Sequence, residues 1–307
     1  MNCSSAISAE TARAKVNLAL HVTGKRADGY HELDSLVVFA EAGDRISATA
    51  ADTLSLTIQG VGSEALPSDA NNSVLAAAHA LLHHATRHLA LEKTLPVSAG
   101  IGGGSADAAA TLRALNRLWG LHLPQKQLEA IGIGLGADVA VCIAQHSSRM
   151  SGIGETLVPL KERHLPSFDL VLVNPRLPVS TPKCFKLFSS GNRIKRRLFC
   201  PLSRINNDHD VLLTWLAGNT AMICLSQPAS VCPDIRNCVS QLLHEGAQNG
   251  AHCWFGAQHV WIFDIRKTVA ANVRTGSCRN RIQTGGCLDN THCLIRQRDL
   301  NSYEFAC

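Results

Sequence analysis

A mixed fold of strands and helices in about two domains follows from three observations. The chain is 307 residues long. Its first half alternates β-patterned runs with helical ones, and a glycine loop stands between a strand-like run and a helix in the middle of that half. Ala12 to Val22 is an alternating, β-rich run, and Asp34 to Ala40 is a second. In Thr53 to Gln59, Leu54, Leu56 and Ile58 alternate with Ser55 and Thr57. Asn72-Ser73 supplies an N-cap for an Ala/Leu-rich helix expected to reach about His88. Leu95 to Ser98 reads as a short strand entering the run Ala99 to Ser105. Behind it, Ala106 to Trp119 carries helical periodicity through Leu112, Leu115 and Trp119. After Leu123-Pro124, a helix near Gln125 to Ile133 stops at Gly134 and Gly136. Gly136 to Ala140 then opens a buried segment, and Phe168 to Asn174 forms a strand closed by Pro175. A domain boundary is placed near residue 160, and no internal repeat is visible.

With 46% hydrophobic and 17% charged residues, the chain is neither disordered nor collagen-like. A formal charge of +5 suits an anionic small substrate as well as nucleic acid and decides little. Met1 to Lys15 has no basic n-region and no apolar run, so a cytoplasmic location is expected. The charge-free stretch Val211 to Pro233 contains Asn219, Gln227, Pro228 and Pro233, which argue against a membrane helix. Ten of the twelve cysteines fall between Cys184 and Cys307, yet none form C-x-x-C pairs, so a zinc site is not expected.

The glycine loop is the sharpest signal. Gly102-Gly103-Gly104 followed by Ser105 at a helix start leaves successive N–H groups without intrahelical partners, and missing side chains let phosphate oxygens approach. The helix dipole favours an anion at the same place. No G-x-x-x-x-G-K-[ST] is present, G-x-G-x-x-G is not completed, and the H-R-D and D-F-G segments of protein kinases are missing. Lys15 stands in the otherwise apolar run Ala14 to Leu18, where an unpaired ammonium is costly. Asp138 sits in an equally uncharged setting, so the two are natural partners, either as a structural ion pair or as part of a site. Asp28-Gly29-Tyr30-His31 is a turn presenting a ring and an imidazole together. It is read either as a plain exposed turn or as a platform for a flat heterocycle.

Taken together in order, six segments resemble the GHMP kinase superfamily. They are Ala14 to Leu18, Asp28 to His31, Leu95-Pro96 with Gly100 to Ala109, Gly136 to Val139, Gly152 to Glu155, and Val179 to Pro182 with Phe185. Within the superfamily they are similar to the branch that phosphorylates a cytidine diphosphate methylerythritol on its 2-hydroxyl in non-mevalonate isoprenoid synthesis. The resemblance implies a two-domain α+β fold with a cleft site. Its N-terminal domain would resemble ribosomal protein S5, and an α/β domain would follow. Residues 1–160 would be the ATP-binding domain and 161–272 the C-terminal one.

ATP phosphates would lie on Pro96, Gly100, Gly102, Gly103, Gly104 and Ser105, with Mg2+ on the phosphates near Ser105. Lys15 and Asp138 would be catalytic. Asn17, Tyr30, His31, Thr181 and Phe185 would hold the substrate, with no nucleic acid or membrane partner and a monomer or homodimer as the working form. Homoserine- or mevalonate-type kinases and a non-catalytic nucleotide- or RNA-binding module are the alternatives. Arg193 to Arg197 is the one dense basic cluster and reads as a solvated surface segment.

Departures from the family pattern concentrate in the second half. Ala140 stands where the family has proline, and the family's Arg-Asn-Asp-Leu and later Gly-Ser-Gly are missing. Thr220 to Cys224 and Asn249 to Gly256 can be encoded so that shifted frames read both motifs. The expectation is a second half with several small insertions or deletions and an out-of-frame tail over 273–307, which accounts for the late cysteines. The coding DNA tests it directly. In the chain as written, Trp254 and Phe255 replace small residues expected beside the phosphates, so little or no turnover is anticipated.

Overall fold

The computed structural model describes residues 7–81, 87–97, 100–161, 165–166, 170–174, 205–219, 259–262, 293–298 and 302–306. The N-terminal unit is built on a six-stranded sheet. Strand β1 (Ile7–Lys25) pairs antiparallel with β2 (His31–Ala50) along almost its whole length. The other edge of β2 is shared. Its C-terminal part pairs with β4 (Arg87–Lys93), and its N-terminal part pairs with β5 (Ser148–Gly152). β3 (Ser55–Gly60) runs parallel to β4, and β6 (Thr156–Pro159) closes the far edge against β5.

Four helices cover one face of this sheet: α1 (Ser73–Leu81), α2 (Gly103–Leu118), α3 (Gln125–Leu135) and α4 (Val139–Ala144). Ala106, Ala109, Ala110, Leu112 and Leu115 of α2 pack with Ile46, Leu89, Leu91, Val141 and Ile143 in one core. Alanine at successive contact positions lets α2 lie close to the strands, and the leucines fill what remains. Asn72 caps α1 as expected, accepting from the Val74 amide at 2.9 Å.

A second, four-stranded sheet has the order β10-β9-β7-β8 and is antiparallel throughout. Its strands are β7 (Leu170–Asn174), β8 (His259–Ile262), β9 (Cys293–Arg298) and β10 (Ser302–Ala306). Helix α5 (His209–Asn219) packs Leu212, Leu213, Trp215 and Leu216 against Ala14, Val16, Leu18 and Val38 of β1 and β2. The stretch expected as an out-of-frame tail thus supplies β9 and β10. The start of the charge-free stretch is helical, in an eleven-residue element packed on a core. Among the described residues no helix is long and apolar enough to cross a membrane.

The α+β class expected from the sequence holds, with three local corrections. The helix after Asn72 ends by Leu81 in α1, and His88 lies on β4 instead. The run from Arg87 to Lys93 alternates, with Leu89 and Leu91 buried two apart, a strand signal overlooked beside an Ala/Leu-rich helix. Leu95 to Val97 is loop rather than strand. Leu95 is buried, but its amide donates to Asp44 Oδ1, so it joins no ladder. Helix α2 starts at Gly103, so the last two glycines and Ser105 form its first turn.

Candidate active site

The glycine loop and the start of α2 border a cavity of about 580 Å³, within the ordinary range for small-molecule sites. Gly102 is the N-cap of α2, with φ of +67°, and it offers no capping side chain. The amides of Gly103, Gly104 and Ser105 therefore have neither an intrahelical nor a capping acceptor, and all three residues line the cavity with Pro96 and Gly100. The left-handed backbone is one reason for glycine at 102. The other is a close approach, because a Cβ there would stand 3.3 Å from Lys15 Cβ.

Lys15 approaches from β1. Its main-chain N–H donates to Ile101 O at 3.0 Å, which ties the catalytic-looking strand to the glycine loop through backbone alone. Its ammonium is buried and lies 2.9 Å from Asp138 Oδ1, the pairing the sequence called for. Asp138 is the residue before α4 and lines the cavity, with about a quarter of its side chain exposed. Gly154 explains why the turn after β5 can reach this point: a Cβ there would meet Ala137 O at 2.4 Å. The motif Gly152 to Glu155 thus packs against the peptide next to Asp138.

A second charged cluster lies beneath the loop and was not anticipated. Lys93, at the end of β4, pairs with Asp44 of β2 and with Asp107 of α2, the latter at 3.1 Å. All three are buried, and Lys93 and Asp107 also line the cavity. Asp44 additionally accepts from the amides of Thr94 and Leu95 at 2.7 and 2.8 Å, so it anchors the start of the 94–102 loop. Oδ1 of Asp107 has no partner. Burial pushes the Asp107 carboxyl up to about 7, with Lys93 opposing and Asp44 adding to the rise. Burial pulls Lys93 down, but the carboxylates of Asp107 and Asp44 outweigh it and hold its ammonium above the ordinary range. Beside Asp138, burial first and that carboxylate second push the Cys142 thiol up to about 12.

On the substrate side, Asn17 lies two residues after Lys15 on β1, and its Oδ1 is 3.5 Å from Lys15 Nζ. Asp34 and Arg149 form a two-point pair at 2.8 and 2.6 Å that joins β2 to β5. Tyr30 ends a turn held by Asp28, whose Oδ1 accepts from its amide at 3.1 Å, and the residue is 60% exposed. His31 follows on β2, its imidazole pKa lowered first by burial and then by Lys25. Thr181, Phe185, Trp254 and Phe255 lie outside the described residues.

The mixed sheet backed by helices is a GHMP kinase fold. Residues 72–146 match the GHMP kinases N terminal domain. The chain is 44% identical to a 4-diphosphocytidyl-2-C-methyl-D-erythritol kinase of Parvibaculum lavamentivorans over 248 residues, 76% of this chain and 80% of that protein. It is 54% identical to one of Ruegeria pomeroyi over 175 residues, 57% of this chain, and spans only 61% of that relative's length. The chain belongs to the 4-diphosphocytidyl-2-C-methyl-D-erythritol kinase family. A crystal structure of 4-(cytidine 5'-diphospho)-2C-methyl-D-erythritol kinase superposes with a TM-score of 0.68 at 26% identity, covering 87% of this chain and 95% of that one. Homoserine kinase from Cytophaga hutchinsonii shares the fold, with a TM-score of 0.60 at 15% identity, covering 92% and 93%.

Proposed function

We propose that the chain captures ATP and transfers its γ-phosphoryl group to the 2-hydroxyl of 4-diphosphocytidyl-2-C-methyl-D-erythritol. The observation that carries this reading is the Lys15–Asp138 pair standing beside a cavity lined in part by Gly103, Gly104 and Ser105, whose amides have no intrahelical or capping acceptor. Phosphates lie on those amides and on the positive end of α2. The acceptor hydroxyl gives its proton to Asp138 as its oxygen attacks the γ-phosphorus. The bond from that phosphorus to the β,γ-bridging oxygen breaks, and ADP leaves. Lys15 keeps Asp138 ionised and offsets charge on the transferring group, so positioning and electrostatics supply most of the acceleration.

The alcohol is oriented by Asn17, and its cytosine by Tyr30 and His31. Both ligands are small molecules, and the working form is a cytoplasmic monomer or homodimer. Magnesium fits the donor set. Such a cation would be held mainly through the phosphates, and the Ser105 hydroxyl, an oxygen donor on the cavity lining, would be its protein ligand. When bound it would neutralise phosphate charge.

The test separates capture from transfer, using the wild-type chain and Asp138→Asn with ATP and the cytidine substrate. Contrary to the low turnover anticipated from Trp254 and Phe255, wild type is here expected to transfer phosphate, whereas Asp138→Asn binds ATP and transfers at least about a hundredfold more slowly, as expected for loss of a general base. Binding without transfer by wild type assigns the defect to the altered second half. Failure of wild type to bind ATP removes the proposal.

A further inference from the structure

Ser35 lies on β2 opposite Leu20 of β1, and it is wholly buried. Its hydroxyl is 3.0 Å from Asn17 Oδ1 and 2.9 Å from Ala19 O. Between Asn17 and Ala19 the pairing of β1 with β2 slips, leaving Leu18 as an extra residue. The Ser35 side chain spans that bulge.

Asn17 is itself 2% exposed. Two donors converge on its Oδ1, the Lys15 ammonium and the Ser35 hydroxyl, whose single proton is shared with Ala19 O. An ammonium only donates, so the amide atom facing Lys15 is the oxygen and the nitrogen points the other way. Among the described residues no acceptor is bonded to Asn17 Nδ2, yet that nitrogen is not sealed in the core. It is a donor with two protons and no partner among the described residues, on the strand face that carries Lys15.

We infer that Ser35 is a positioning residue for the acceptor alcohol: with Lys15 it pins Asn17 Oδ1, which keeps the amide N–H groups turned toward the hydroxyl-bearing end of the substrate. The inference rests on the kinase reading above and adds the group that sets the amide's orientation. With Ser35 removed, only the longer Lys15 contact opposes a half-turn of the amide. The flipped form places N–H groups against an ammonium and an acceptor oxygen toward the alcohol, so its population subtracts from productive binding. Losing one net hydrogen bond corresponds to about three- to tenfold in affinity. A purely structural role, closing the bulge through Ala19, would treat both ligands alike.

The experiment uses the full chain and calorimetric titration with two probes, the cytidine diphosphate methylerythritol and a non-hydrolysable ATP analogue. Ser35→Ala is expected to weaken the cytidine compound about three- to tenfold and leave the ATP analogue within about twofold. Ser35→Thr, which keeps the hydroxyl, restores wild-type affinity, and Ser35→Ala adds nothing in an Asn17→Ala background. Equal effects on both ligands, no effect on either, or an additive loss with Asn17→Ala each overturn the inference. Should wild type bind the ATP analogue but not the cytidine compound, the acceptor reading fails on its own. Ser35 is then judged by the Asn17 side-chain amide resonances. A shift in Ser35→Ala that Ser35→Thr reverses sustains the role, and an unmoved resonance ends it.

Discussion

Replacing Asp107 with asparagine should stabilise the folded chain at alkaline pH while changing it little near pH 4. Two carboxylates share the single ammonium of Lys93 in a buried cluster, and Oδ1 of Asp107 has no partner. The folded carboxyl titrates at about 7, chiefly because burial disfavours its charged form. A carboxyl raised above its unfolded value binds its proton more tightly in the folded state. Wild-type stability from this group is therefore greatest below about pH 4, falls as pH rises toward 7, and is level above that. Carrying the carboxyl from the ordinary 3.8 to about 7 corresponds to about 4 kcal/mol at full effect.

Asparagine keeps an acceptor for Lys93 and leaves that ammonium in a one-to-one pair with Asp44. The variant should gain on wild type by about 3 kcal/mol between pH 5 and pH 8. That gain appears as about 6–12 °C in unfolding midpoint for a chain of this size. Thermal unfolding followed by circular dichroism at both pH values, without nucleotide or magnesium, provides the readout. A gap between variant and wild type that stays constant with pH, or a variant less stable than wild type at pH 8, would show that Asp107 is held ionised at no cost.

Two further outcomes are expected. Gly102→Val forces a branched side chain into left-handed backbone against Lys15, so affinity for a non-hydrolysable ATP analogue should drop at least about tenfold. Unchanged affinity in calorimetry would detach the loop from phosphate binding. The Cys142 thiol, buried and pushed up to about 12, should resist iodoacetamide at pH 8 in the folded chain and react once the chain is unfolded. Peptide mapping that finds Cys142 alkylated at the rate of an exposed thiol would contradict its placement in α4.

What could be read from the sequence was what announces itself locally. A lysine in an apolar strand needs a counter-charge wherever the chain goes, and an aspartate in an uncharged run makes the matching demand, so Lys15 and Asp138 were legible across 123 positions. Glycines at a helix start declare free amides without knowledge of tertiary contacts. Lys93, Asp44 and Asp107 escaped notice because Asp44 and Lys93 sit in mixed surroundings that pass for surface charge, and their meeting depends on β2 pairing with β4. Asp107 did carry a signal of the same kind as Lys15: one acid among Ala106, Ala108, Ala109 and Ala110, on a helix face that proves buried. Strand β4 was obscured by the leucine-rich helix before it, where composition outweighed the two-residue spacing of Leu89 and Leu91. The role of Gly154 depends on an approach to Ala137 that nothing nearby in the chain reports.

The bond from the Lys15 amide to Ile101 O has a consequence for how such a protein can change. Every residue except proline brings the same N–H to that position, so the distance between cation and cradle is inherited from the main chain and is blind to most substitutions. Side chains around the reacting groups are free to drift toward new alcohols while the grip on the phosphate donor keeps its calibration.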